Sequence, residues 1–216
     1  MQFNSDYYYH VYNRGADKRK IFLDKWDYIR FLESLRAFNQ IEPFGGFYQN
    51  SFIKDGGLAG RNSYSCSDQQ NKPLVKILTY CLNPNHYHLL LKQEAEKGIS
   101  EFMKRIGNGY TRYFNHKYKH SGFLFQGKYK NKEISSSYDL LKLSVYINCN
   151  AEIHGIAKKE EWIWSSYLDY IGKRNGTLCI KDDILEDFKN NKEYIEFCEE
   201  LISDIKEIKY LQRFED

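Results

Sequence analysis

The sequence contains no long apolar run and no closely spaced cysteine pair, and these absences exclude several classes of protein. No segment reaches the ~20 consecutive apolar residues that a membrane span needs, so we expect no membrane partner. The first residues, MQFNSDYYYHVYNRG, lack the basic and apolar segments of a secretory signal. The five cysteines include no CxxC motif, which argues against a disulfide framework or a zinc ribbon and predicts a cytoplasmic protein.

The net charge is only +3, but the charges are distributed unevenly along the chain. Residues 102–132 contain no acid, many cations and eight aromatic residues, a mixture that is typical of surfaces that bind single-stranded nucleic acid. A solvated helix face above core aromatics would give the same composition, so both interpretations stay open. Acidic residues outnumber lysines in residues 176–216, where we predict an acidic helical extension that includes a helix over residues 192–211.

Hydrophobic periodicity predicts seven elements in the order β-α-β-β-α-β-α. They are strand 7–13, helix 25–38, strands 73–81 and 86–92, helix 99–118, strand 123–134 and helix 137–151. The first six match a ferredoxin-like split βαβ arrangement, an α+β fold in which helices cover one face of an antiparallel sheet. The length of 216 residues allows one core, so we predict a domain over residues 1–175, with a polar loop insertion at 39–72, and an extension over residues 176–216.

Residues 83–92, NPNHYHLLLK, place two histidines one residue apart at the start of an apolar strand. Side chains alternate along a strand, so His86 and His88 are expected on one face and Tyr87 on the other. Two imidazoles on one rigid face supply half of a metal site. Cys81 nearby could indicate zinc, but no fourth soft ligand stands at a matching spacing. A histidine pair is also common as a structural feature, so its meaning depends on a partner elsewhere.

That partner is predicted in the helix over residues 137–151. Lys142, Tyr146 and Asn150 are spaced four residues apart and form one polar stripe on an otherwise apolar helix. An unpaired buried hydroxyl or amide costs free energy, and a facing metal and phosphate would explain the stripe. The alternative is that Tyr146 and Asn150 simply form hydrogen bonds to neighbouring backbone.

Together the two motifs predict cleavage of a nucleic-acid strand. A divalent ion held by His86, His88 and the Asn150 oxygen would polarise a phosphate. Tyr146 would attack in line, which gives a 5′-phosphotyrosine and a free 3′ hydroxyl. A tyrosine hydroxyl with a pKa near ~10 is a weak nucleophile and needs nearby positive charge, which the metal and Lys142 could supply.

These motifs resemble those of the HUH single-tyrosine transposases, and in particular the branch of REP-associated tyrosine transposases. NPNHYHLLLK is similar to their MPNHxHLLL signature, and YINCNAEIHG is similar to their YIHLNPVRAG helix end. Further blocks agree in order, namely YHVYNRG, YTRYFNHKYKHSGFLFQGKYK and WSSYLDYIGK. The resemblance spans roughly residues 7–173.

The resemblance implies roles for the same four residues: Tyr146 as the catalytic nucleophile, and His86, His88 and Asn150 as metal ligands. It also implies Mg²⁺ or Mn²⁺ as cofactor and single-stranded DNA with foldback hairpins, REP-like or element ends, as partner. Monomer and homodimer both stay open. This chain departs from the family pattern because no proline follows Asn150, so the helix is expected to run on to residue 151.

The predicted function is therefore that of a transposase, a metal-dependent endonuclease and strand transferase that acts on single-stranded DNA. A non-catalytic nucleic-acid-binding module or repressor on the same fold is the alternative, and its binding would depend on salt but not on EDTA. His10 and His154 are expected to be structural. The candidate DNA contacts are Arg14, Lys18, Arg105, Arg112, Lys117, Lys128, Lys130 and Lys142.

Overall fold

The computed structural model describes residues 3–4, 7–41 and 72–212. Most of the predicted polar insertion, residues 42–71, lies outside the described residues. The strands are β1 (Tyr8–Arg14), β2 (Val75–Asn83), β3 (His86–Gln93) and β4 (Lys130–Ile134). The helices are α1 (Lys25–Ala37), α2 (Gly98–Tyr118), α3 (Ser137–Asn148), α4 (Asn150–Ile153), α5 (Tyr167–Tyr170), α6 (Asp182–Leu185) and α7 (Asn191–Gln212).

The four strands form one antiparallel sheet in the order β2-β3-β1-β4. Each βαβ crossover therefore skips a strand, because β3 lies between β1 and β2, and β1 lies between β3 and β4. This is the split βαβ arrangement, and the predicted α+β, ferredoxin-like fold is confirmed.

The N-terminal residues of α1 show how the local sequence determines where a helix begins. The Asp24 carboxylate accepts hydrogen bonds from the backbone of Trp26 and Asp27, and the Asp27 carboxylate accepts one from the Asp24 backbone. This reciprocal capping box satisfies backbone donors that have no partner within the helix. Phe31 and Leu35, on the inner face of α1, are fully buried.

Helices cover both faces of the sheet. The first face packs against α1 and α2, in a core that includes Val11, Leu89, Phe31 and Phe102. The second face packs against α3 and the helices that follow it, in a core that includes Leu78, Leu90, Val145 and Tyr194. The helix that carries the candidate tyrosine thus lies against the sheet face opposite to α1 and α2.

Two element boundaries differ from the sequence prediction by three residues or more. β4 begins at Lys130 instead of residue 123, because Gly127 has a φ of +76°, a left-handed conformation that a regular strand does not contain. α3 ends at Asn148 instead of residue 151, because Cys149 has φ −100° and ψ 11° and leaves the helical region. Asn150 then begins the short helix α4.

The C-terminal helix packs on the second face. Tyr194, Cys198 and Ile202 of α7 are buried in the same core as α3, and Asn148 Nδ2 donates a 2.8 Å hydrogen bond to the Tyr194 hydroxyl. The domain boundary near residue 175 stays a prediction. No described helix is both long and apolar enough to cross a membrane.

Candidate active site

The histidine pair of β3 lies on the second face of the sheet, as the alternation predicts. The ring centroids of His86 and His88 are 5.1 Å apart. Tyr87, between them, points to the first face and packs on Phe31 and Phe125. Strand geometry therefore holds both imidazoles at a fixed spacing beside α3.

The hydrogen bonds of His86 assign its two ring nitrogens different roles. Nδ1 lies 2.7 Å from Asn85 Oδ1, so Nδ1 carries the proton and donates to that oxygen. Nε2 lies 2.9 Å from Asn83 Nδ2 and 3.4 Å from Asn150 Oδ1. The lone pair of His86 thus faces the Asn83 and Asn150 amides.

Asn150 is fully buried, and its amide is only half satisfied. Its Oδ1 accepts a 2.6 Å hydrogen bond from Asn83 Nδ2. Its Nδ2 has no hydrogen-bond partner in the described part of the chain. An unpaired buried amide is costly, and such groups in native proteins call for an explanation.

Tyr146 of α3 lies across from the histidines. Its ring centroid is 5.8 Å from that of His88 and 6.3 Å from that of His10, in edge-to-face geometry in both cases. Burial raises the pKa of the Tyr146 hydroxyl. The hydroxyl is therefore protonated at neutral pH and needs help to act as a nucleophile.

His10 of β1 is an unexpected member of this cluster. Its Nε2 lies 2.8 Å from His88 Nδ1, and its ring packs at 4.8 Å from that of Tyr12. Burial, with a contribution from Lys132, lowers the pKa of His10 to about 4. Burial also holds the pKa of His88 well below its usual value. Both rings are neutral at neutral pH, the form that binds metal.

The donor set fits a divalent metal ion at His86, His88 and Asn150. His86 Nε2 and Asn150 Oδ1 are 3.4 Å apart, close to the ~3 Å between adjacent ligands of a six-coordinate ion. The Asn83 amide donates to both atoms, a contact that a bound cation would replace. Among the residues described here, no three His, Cys, Asp or Glu side chains cluster as a metal site, so the amide oxygen is essential to the proposed set.

The predicted DNA contacts divide into two groups. Arg14, Lys18, Arg112, Lys128 and Lys130 are exposed. The other three are engaged within the protein. Arg105 contacts Glu101 and the backbone after α1, Lys117 contacts Asp24 and Asp27, and Lys142 lies over the Tyr138 ring.

Some of the exposed cations border the site. Tyr12 pairs with Lys130, His10 with Lys132 and Arg14 with His86 across the sheet. Directly paired residues project to the same face, so these cations stand on the face that carries the histidines. This arrangement favours an anionic ligand near the candidate active site.

Sequence reasoning missed the roles of His10 and Asn83 and treated His10 and His154 as structural. The His154 ring lies 5.6 Å from that of His86, so both additional histidines contact the predicted pair. One signal was present, because His10 and Tyr12 alternate on β1 as His86 and His88 do on β3. The register that pairs Tyr12 with His88 could not be obtained from the sequence.

The split βαβ sheet thus carries a histidine pair that faces Tyr146 of α3. Residues 47–150 match the model of the family described as "Transposase IS200 like", and this span includes His86, His88, Tyr146 and Asn150. The resemblance to this class of transposases that the motifs predict is therefore confirmed. No curated protein matches the sequence significantly.

The fold is also similar to a solved structure described as "the REP associates tyrosine transposase bound to a REP hairpin". The TM-score is 0.51 at 11% sequence identity, over 83% of this chain and 87% of that chain. At this identity the likeness concerns the fold alone. The family match supports a transposase-type, DNA-binding function and a DNA-processing enzyme.

Proposed function

We propose that this protein is a metal-dependent endonuclease and strand transferase that acts on hairpin-bearing single-stranded DNA through a 5′-phosphotyrosine. One observation carries the proposal: the Tyr146 ring lies 5.8 Å from that of His88. The half-satisfied amide of Asn150 lies beside His86 in the same cluster. The residues that we propose as nucleophile and metal ligands come from distant parts of the sequence and lie together on one face of the sheet.

The residues of the chain would divide the work as follows. The Tyr146 oxygen bonds to phosphorus as the bond from phosphorus to the 3′ oxygen breaks, and the 3′ oxygen takes up a proton. The hydroxyl proton of Tyr146 passes to solvent. Mg²⁺ or Mn²⁺ held by His86, His88 and Asn150 would supply Lewis-acid stabilisation of the charge on the phosphate. One ester replaces another, so the strand can be joined again elsewhere.

DNA with a hairpin is the substrate that the surroundings support. The similar structure is described as bound to a REP hairpin, and exposed cations border the histidine face in this protein. Cations of this kind contact phosphates without reading sequence, so the hairpin sequence that the protein recognises would depend on other contacts.

The experiment is formation of a covalent adduct. The protein is incubated with Mn²⁺ and a labelled single-stranded DNA that carries a hairpin, and adducts are resolved on a denaturing gel. Wild type should give an adduct that EDTA prevents, and Tyr146→Phe should give none. Tyr138→Phe is the matched control, because Tyr138 lies on the same helix and is 58% exposed; its adduct should form normally.

The alternative is a non-catalytic DNA-binding module or repressor. It predicts salt-sensitive binding that EDTA does not change, and no adduct with any of the three proteins. An adduct that persists in Tyr146→Phe would instead show that another residue is the nucleophile.

A further inference from the structure

One aromatic side chain in the acid-free tract of residues 102–132 remains in solvent. Phe123 is 89% exposed, the largest exposure among the large hydrophobic residues described. The other seven aromatics of the tract belong to the core beneath α1 and α2 or pack against it. They are Phe102, Tyr110, Tyr113, Phe114, Tyr118, Phe125 and Tyr129. Of the eight aromatic residues in this tract, Phe123 is therefore the one whose ring is largely exposed to solvent.

The backbone on both sides of Phe123 is held in place. Leu124 and Phe125 are buried, and the Ala16 N–H donates a 2.9 Å hydrogen bond to the Leu124 carbonyl. On the other side, Asn115 Nδ2 donates a 3.0 Å hydrogen bond to the Gly122 carbonyl. The backbone position of Phe123 is thus fixed, which lowers the backbone entropy lost when a ligand binds.

The surroundings of Phe123 are strongly cationic. Two segments meet at this hydrogen bond between Ala16 and Leu124, residues 14–20 and residues 119–130, which we call the basic loop pair. The loop pair contains seven Lys and Arg side chains against one acid, Asp17. All seven are exposed: Arg14, Lys18, Arg19, Lys20, Lys119, Lys128 and Lys130. This charge favours a polyanion.

The basic loop pair lies at the end of the sheet where the candidate active site begins. Gly15 forms an isolated bridge with Phe125, and its N–H donates a 2.8 Å hydrogen bond to the carbonyl of Asn85. Asn85 directly precedes His86 in the chain. A strand of nucleic acid that crosses the loop pair can therefore continue to the histidine face.

We infer that Phe123 is a stacking platform for one unpaired base of single-stranded DNA whose phosphates contact the basic loop pair. The inference rests on the proposed function and names a contact that function alone does not require. An exposed ring on an anchored backbone, between cationic segments, is an arrangement that binds single strands, because every base has a face that can stack. Phe123 adds affinity for unpaired bases without selecting their sequence.

The test compares two fluorescein-labelled DNA hairpins, one with a single-stranded flank and one with a blunt end, by anisotropy at several salt concentrations. Phe123→Ala should weaken binding of the flanked hairpin roughly tenfold, with the salt dependence unchanged because no charge is lost. Binding of the blunt hairpin should change little, and Phe123→Trp should restore the affinity. Ile163→Ala is the matched control, an exposed apolar residue (51%) in the segment beside β2, at the other edge of the sheet.

The results separate this inference from the proposed function. Wild-type affinity of Phe123→Ala for the flanked hairpin would overturn the inference, and so would an equal loss for both hairpins. If Tyr146-dependent adducts form in the same preparations, the proposed function survives either result. Thermal melts of each variant establish that folding is intact, which the exposure of Phe123 leads us to expect.

Discussion

His10 Nε2 lies 2.8 Å from His88 Nδ1, a hydrogen bond that joins β1 to β3 beside the Tyr146 ring. Because the pKa of His10 is lowered to about 4, its ring is neutral at neutral pH and Nε2 can accept a hydrogen bond from the Nδ1–H of His88. His88 then keeps the lone pair of Nε2 for a metal ion. Partners of this kind fix the orientation and tautomer of a metal-binding imidazole.

We therefore expect His10→Ala to weaken Mn²⁺ binding about 10- to 100-fold, measured by titration calorimetry. His10→Gln should lose less Mn²⁺ affinity than His10→Ala, because the side-chain oxygen of glutamine can accept the hydrogen bond from His88 Nδ1. His116→Ala is the control, since His116 is an exposed histidine on α2. Unchanged Mn²⁺ affinity in His10→Ala would show that His10 does not position His88.

The glycines of α2 give a prediction that separates packing from helix propensity. A Cβ added at Gly107 would meet no atom within 4 Å, whereas one at Gly109 would lie 2.7 Å from Phe38 Cε2. Gly107→Ala should raise the free energy of unfolding by up to about 1 kcal/mol. Gly109→Ala gains the same propensity but displaces Phe38, so it should be the less stable variant. Urea unfolding of both variants measures the difference, and equal stabilities would contradict the close approach of Phe38.

The parts of the site that the sequence predicts are those that depend on local geometry. Strand alternation places His86 and His88 together, and four-residue spacing relates Tyr146 to Asn150. The role of His10 depends on the pairing of β1 with β3, which is a long-range property of the sheet. Local pattern cannot supply that register, even where it identifies both strands.

The same distinction between local and long-range structure explains why some of the predicted DNA-binding cations contact the protein itself. Arg105 and Lys117 look like their neighbours in the sequence, but their carbonyl and carboxylate partners near α1 lie 65 to 93 residues away along the chain. β4 begins later than its composition predicts for a related reason, because the left-handed backbone at Gly127 interrupts a segment whose composition favours a strand.

Glu152 and Lys159 predict how stability depends on pH. Lys159 is buried, and its Nζ lies 3.5 Å from Glu152 Oε2 and 2.6 Å from Glu199 Oε1. Burial raises the pKa of Glu152, but hydrogen bonds from Lys206 and Lys159 more than offset this and leave the pKa below its usual 4.5. The stabilisation from Glu152 is therefore present above pH 4.5 and lost as the pH falls below that value.

Glu152→Gln should accordingly lower stability at neutral pH and reduce the loss of stability below pH 4.5. Urea unfolding at pH 7, 5 and 4 provides the comparison. Glu161→Gln is the control, because Glu161 is exposed and lies only two residues after Lys159 in the chain. A wild-type pH profile in Glu152→Gln would mean that other carboxylates cause the acid sensitivity.

Lys117 and Lys128 form a matched pair that separates stability from DNA binding. Lys117 Nζ lies 2.7 Å from Asp27 Oδ1, and the Asp27 side chain is fully buried. Lys117→Met should therefore cost about 3 kcal/mol of stability, because it leaves a buried carboxylate without its cation. Its effect on DNA affinity should be small once the variant is folded.

Lys128→Met should show the opposite pattern, because Lys128 is exposed on the basic loop pair. Its stability should match wild type, whereas its DNA affinity should fall for every sequence and its salt slope should decrease by about 1. Urea unfolding and anisotropy titrations on both variants give the comparison. If Lys117→Met instead lowers the salt slope without loss of stability, Lys117 contacts phosphate and its ion pair with Asp27 gives way when DNA binds.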